Sequence, residues 1–205
     1  MKKLIPALFF CFLFFSCRNT LTFSLMDDDS IYFEADCNFD SGGAIQKLLE
    51  STGSDFNNLN LEELKSGLEE EGFSRLQLYK KKEGGLTVKG ILPDDNLIVT
   101  KENDRIKFRL TPEIFRDFYN GSGEKIASVF DLFLIPLLSD DEEISSLDGQ
   151  GYLDLIASFY GQGFADEIAK SSLVIVLKNK KQNTAQKSIY FTQLFTIGSA
   201  FEFSL

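Results

Sequence analysis

The chain reads as an α+β protein: an antiparallel sheet of several strands with helices packed on one side. Three observations predict it. Short stretches that alternate apolar and polar residues stand near both ends, in 20–39, 75–110 and 173–205. Between the early and late strands, about 112–170, apolar residues recur at helical spacing. Closely spaced Gly, Pro, Asn and Asp clusters punctuate the strands of 75–110, which suggests an antiparallel meander.

The elements follow in order. Leu21, Phe23 and Leu25 alternate with Thr20, Thr22 and Ser24, and Ile31, Phe33, Ala35, Cys37 and Phe39 alternate likewise. Asp27-Asp28-Asp29-Ser30 between them predicts an acidic turn joining two half-buried strands. Ile45, Leu48 and Leu49 mark a first short helix. Asn60 is placed to cap a second, with Glu63 three residues on. Leu61, Leu64 and Leu68 form its buried side, and Gly72 closes it. Strands are expected at 75–82, 86–92, 97–101 and 105–110.

Thr111-Pro112-Glu113 starts the central helical segment, with Ile114, Phe115, Phe118 and Tyr119 on its face. Ile126, Val129, Phe130, Phe133, Leu134 and Leu137 continue at helical spacing until Pro136 ends or kinks that helix. Ser139–Glu143 reads as a solvated acidic loop. Leu153, Ile156, Ala157, Tyr160, Phe164 and Ile168 make a long amphipathic pattern, interrupted at Gly161 and Gly163. Leu173–Leu177 is apolar throughout and should be buried on both faces. A basic loop, Lys178–Lys187, leads to strands at 188–195 and 200–205.

The first residues speak to address. Lys2 and Lys3 precede twelve residues, Leu4–Phe15, that form an apolar run ended by Ser16, Cys17, Arg18 and Asn19. A bilayer-spanning helix needs roughly 20 apolar residues, so the run is short for a span but suits the core of a secretory signal. Phe14-Phe15-Ser16-Cys17 resembles the cleavage box of bacterial lipoproteins. Ser16 and Cys17 fit it, and Phe15 departs from its small-residue preference. The resemblance implies a signal over 1–16, a cut before Cys17, a diacylglycerol on that sulfur and a lipid-anchored body over 17–205, which reads as one domain. The other two readings are an ordinary signal that leaves Cys17 free, and an uncleaved anchor. Two or more acyl chains make a stable anchor, because each buried CH₂ contributes about 0.8 kcal/mol. Only Arg18 and Asn19 separate Cys17 from the first predicted strand, so the tether would be almost nil. The order of elements, an early hairpin, then helices, then a late hairpin, is similar to that of the LppM-like envelope lipoproteins.

Composition narrows the rest. The chain of 205 residues has 31 acidic and 21 basic residues, a formal charge of −10. Such a surface does not attract nucleic acid or an anionic bilayer by charge alone. Of three cysteines, Cys11 and Cys17 lie in or beside the apolar leader and Cys37 stands alone, so the expected body has no internal disulfide. Cys37 falls in phase with the apolar positions of its strand and reads as buried. Histidine is absent from the sequence, which excludes a Ser-His-Asp triad and removes the commonest general base. Paired carboxylates remain, though no pair stands out.

Two motifs fall short of their chemistry. Asp36-Cys37-Asn38-Phe39-Asp40 opens like a calcium loop, but its sixth place is Ser41 and its twelfth Lys47, where glycine and glutamate are needed. Gly149-Gln150-Gly151 resembles part of a phosphate turn, but an acidic loop precedes it and Asp154 takes the last glycine's place. A helix-initiating turn explains it better. No metal or cofactor site is therefore expected.

Two groups carry a functional expectation. Phe130, Phe133, Leu134 and Leu137 belong either to a core helix or to a surface that contacts membrane or a hydrophobic ligand. The Lys178–Lys187 loop is a solvated loop, or touches lipid headgroups if it lies on the anchored side. The expected role is non-catalytic binding or assembly in a bacterial cell envelope, with the membrane as partner through the acylated N-terminus. A carrier of lipid or another hydrophobic ligand is the alternative, and a carboxylate-dependent hydrolase stands behind both.

Overall fold

The computed structural model describes residues 18–38, 60–82, 85–121 and 133–205. Cys17, Phe130 and the helix expected at 45–49 lie outside the described residues. Among the described residues, nine strands in two sheets and seven helices make an α+β fold.

The first hairpin forms as its alternation dictates. Strand β1 (Arg18–Leu25) pairs antiparallel with β2 (Ile31–Asn38), placing Phe23 opposite Phe33. Helix α1 (Leu61–Glu70) begins where Asn60 Oδ1 accepts from the Glu62 and Glu63 N–H groups, at 3.1 and 3.3 Å. It ends at Gly72, whose φ of 91° suits glycine. Strands β3 (Ser74–Lys80) and β4 (Gly85–Ile91) form a second hairpin, and β4 then pairs with β2.

The expected four-strand meander stops there. Pro93-Asp94-Asp95-Asn96 carries the chain out of this sheet. Strands β5 (Val99–Glu102) and β6 (Arg105–Leu110) form a hairpin in another. Proline lacks the N–H that would continue the ladder, and Asn96 fastens the corner. Its side chain donates to the Pro93 carbonyl at 2.9 Å and accepts from the Val99 N–H at 2.8 Å.

In the helical segment, α2 (Pro112–Gly121) starts as expected, with Thr111 Oγ1 accepting from the Ile114 N–H at 3.4 Å. The stretch 126–132 of the helix that Pro136 was expected to end or kink lies outside the described residues. Pro136 sits in the first turn of the short α3 (Ile135–Leu138), where its missing N–H costs nothing. The acidic loop is in part a helix, α4 (Glu142–Ser145), capped by Asp141. Helix α5 (Gly149–Tyr160) begins at the glycine pair, capped by Asp148 on the Gly151 N–H at 2.8 Å. Gly161, with φ 86°, breaks the amphipathic run between α5 and α6 (Gln162–Lys170).

Strand β7 (Ser172–Lys178) lies parallel to β1, and β8 (Thr184–Tyr190) returns antiparallel to it. Phe191–Phe195 is a helix, α7, and not the end of a strand. Phe191, Leu194 and Phe195 are all buried, and their spacing is helical. Gln193 Oε1 accepts from the Tyr190 N–H at 3.3 Å at its start. Strand β9 (Phe201–Ser204) joins β6.

The sheet orders are β3-β4-β2-β1-β7-β8 and β5-β6-β9. In the larger sheet the β1–β7 pair is parallel and its other strand pairs, among the described residues, are antiparallel. Its inner face carries Leu21, Phe23, Leu25, Phe33, Ala35, Val88, Leu173, Ile175 and Leu177, all buried in one core with residues from the helices. The helices do not cover this face alone. Phe108 of β6 meets Phe23 with ring centroids 6.0 Å apart, so the second sheet packs here too. Burying each such side chain stabilises by about 1.5–3 kcal/mol. The outer face is polar. Its middle row runs Gln77, Lys89, Glu34, Thr22, Val176 and Gln186 across six strands. On that side Val174 is buried and Val176 partly exposed, so β7 is sealed on both faces at Val174, as its apolar sequence suggested, but not at Val176.

Candidate functional site

The larger sheet has two ends that differ in character. One is set by Arg18, the first residue of β1, whose register row runs to Asn38 and Gly85 on one side and to Ser172 and Tyr190 on the other. We call this the near end. The far end is set by Leu25, Ile31 and Lys178. Eight strand residues separate the ends by about 23 Å.

At the near end the β3–β4 turn carries Lys80, Lys81 and Lys82. The Lys81 ammonium pairs with the Asp36 carboxylate and donates to Asn38 Oδ1 at 2.7 Å. The Lys81 N–H bonds to the Gly85 carbonyl at 3.0 Å. Gly85 has φ 128°, and a Cβ there would stand 2.3 Å from the Cys37 carbonyl oxygen. Only glycine lets β4 approach β2 this closely. Cys37 itself is buried, in phase with its apolar neighbours. Tyr79 and Tyr190 are half exposed, at 50% and 53%. Asp36, the first residue of the calcium-like stretch, spends its carboxylate on Lys81 and on the Thr87 hydroxyl at 2.9 Å. Among the described residues no group of three or more metal-ligating side chains gathers.

Charge governs the far end. In the β1–β2 turn Asp29 takes φ 62°, and Asp28 Oδ1 accepts from the Ser30 N–H at 3.1 Å. Lys180 Nζ pairs with Asp29 Oδ1 at 2.6 Å, and Lys101 Nζ donates to the Asp29 carbonyl at 2.5 Å. Lys180 therefore holds the Asp29 carboxyl below its usual range, and Asp29 in turn raises Lys180. The Ser30 hydroxyl likewise lowers Asp28. The predicted basic loop is shorter than expected, because β7 runs to Lys178 and β8 begins at Thr184. Its turn stands at the far end, opposite the Arg18 end of the sheet.

A cleft of about 240 Å³ also opens at the far end, between the sheets. Ile31 borders it from the larger sheet, Leu92 and Pro93 from the corner that leaves it, and Val99, Thr100 and Lys101 from β5. Sequence reasoning missed it. Read as one strand of a meander, 97–101 would have had both edges paired. The usable signal was Pro93–Asn96, a corner long enough to change sheets.

Phe133, Leu134 and Leu137 are 1%, 0% and 4% exposed. Phe133 packs on Phe164 and Phe195, with centroids 5.7 and 6.0 Å away. These three side chains lie in the protein core, which leaves them no apolar surface to offer a bilayer. Beside them Tyr152 is buried, with a hydroxyl that has no hydrogen-bond partner among the described residues, and burial pushes its ionisation well upward. No helix among the described residues is long and apolar enough to cross a membrane. Comparison with known protein families, with curated proteins and with solved structures finds no match.

Proposed function

We propose that this chain is a lipoprotein of the bacterial cell envelope, acylated at Cys17, with a non-catalytic role in binding or assembly. The observation that carries the reading is the start of β1 at Arg18, directly after the anchoring cysteine and in the interior of the larger sheet. An acyl anchor at residue 17 would then fasten the body at the near end, with no tether. Lys80, Lys82 and the half-exposed Tyr190 would stand beside the lipid, and the Asp27–Asp29 turn would face away from it. Tyrosine suits that boundary, with an apolar ring and a polar tip. The carrier alternative gains nothing from the far-end cleft, whose volume falls below the roughly 300–1,000 Å³ of drug-sized ligand pockets.

Cys17→Ser tests the anchor. The variant is expected to leave the detergent-extracted membrane fraction for the soluble one. Intact mass of the wild-type product should show loss of residues 1–16 and the addition of acyl chains. Unchanged membrane retention of the variant, or a bare thiol in the wild type, would overturn the reading.

A further inference from the structure

The far-end cleft is bordered by a strand edge with open backbone groups. Side chains alternate along a strand, yet Val99, Thr100 and Lys101 all line the cleft in succession, so it is the edge of β5 that borders it. Among the described residues, β5 is the last strand of its sheet, with β6 on its other side. The hydrogen-bond phase follows from one contact. The Arg109 N–H donates to the Ile98 carbonyl at 2.8 Å, and Val99 stands opposite Phe108. Bonded and non-bonded pairs alternate in an antiparallel ladder. Val99 and Lys101 are thus the non-bonded positions, and their backbone groups point away from β6. Asn96 takes the Val99 N–H. Among the described residues, the Val99 carbonyl, the Lys101 N–H and the Lys101 carbonyl are left in strand spacing along the cleft.

The surroundings choose the occupant. Ile31 and Val99 are buried apolar side chains at its base, with Leu92 and Pro93 beside them. Asp94 borders it and is exposed, as is Asp95 next along the chain, while the ammonium of Lys101, which also borders it, is held by the Asp29 carbonyl; the chain's net charge is −10. We propose that the edge of β5 docks an extended, cationic peptide segment of a partner protein, which adds to the smaller sheet as a further strand. Main-chain bonds would supply the affinity, and an aliphatic side chain in the cleft with lysine or arginine over the aspartates would supply the choice. A second copy of this acidic chain brings the wrong charge to the same edge. The proposal does not depend on the anchor. If the anchor is as proposed, the cleft points away from the lipid.

A fluorescein-labelled seven-residue peptide alternating valine and lysine tests it, titrated against the full chain in detergent. Binding should saturate and slow amide exchange in Val99–Glu102. Lys101→Ala keeps the backbone N–H and should bind within about threefold of wild type. Lys101→Pro removes that N–H without touching a β5–β6 bond, and should weaken binding by about tenfold or more. The same peptide N-methylated at alternate amides should lose binding to the unaltered chain in one of its two phases. This arm holds even if the proline variant misfolds. Absence of saturable binding, equal binding in both methylated phases, equal losses in the two Lys101 variants, or protection elsewhere on the chain would overturn the proposal. So would a dimer by sedimentation that protects Val99–Glu102 without peptide, since it would assign the edge to self-pairing.

Discussion

At the near end of the larger sheet the β3–β4 turn is fixed by contact, with Gly85 so close to β2 that no Cβ fits. At the far end the β1–β2 turn is fixed by charge, through Lys180 and Lys101 on Asp29. The difference teaches where each end is vulnerable. Steric fit in a packed interior is insensitive to salt and intolerant of substitution. Exposed ion pairs tolerate substitution and yield to salt and acid.

The largest effect is expected in the aromatic cluster of Phe133, Phe164 and Phe195, which packs α7 behind the near end. Phe133→Ala should destabilise by about 3–5 kcal/mol in urea unfolding. A loss under 1 kcal/mol would mean that this side chain is not core. Gly85→Ala should cost on the order of 3 kcal/mol, from the clash with the Cys37 carbonyl and the unfavourable φ. A neutral result would break the contrast between the ends. Tyr152→Phe should be neutral or stabilise by about 1 kcal/mol, because it removes a buried hydroxyl with no hydrogen-bond partner among the described residues.

The smallest effect belongs to the far end. Lys180→Ala should lower the melting temperature slightly in dilute buffer and not at all near 1 M salt. Its pH dependence has a defined sign. Asp28, Asp29, Glu113 and Glu202 all have folded-state pKa values below the ordinary carboxylate values, the first two and Glu113 chiefly through hydroxyl or ammonium partners and Glu202 through Lys107. Their stabilisation is complete above the unfolded-state values, near 4, and is lost as pH falls through the lower folded ones. Melting temperature should therefore fall between about pH 5 and pH 3, and Asp29→Asn should flatten part of that slope.

Local features were legible in the sequence. Asn60 at a helix start, Thr111-Pro112 at another, Gly72 and Gly161 as stops, and the alternation of β1 and β2 each act over a few residues, and each appears where its chemistry puts it. What was not legible depends on distant partners. Nothing near Arg18 announces that β1 will pair in parallel with Ser172–Lys178. The β-favouring side chains of Ile189-Tyr190-Phe191 hid a change of period at Phe191, which tertiary packing of Leu194 and Phe195 decides. For the candidate site, Cys17 was read from its neighbours alone. The β5 edge emerged only when the hairpins proved to lie in different sheets.

The seating of β1 between β2 and β7 has a mechanical consequence. A pull applied at Arg18 along the strand axis shears both ladders at once, so many hydrogen bonds share the load instead of parting one by one as in a peeled edge. Tension entering the molecule there is spread over two ladders.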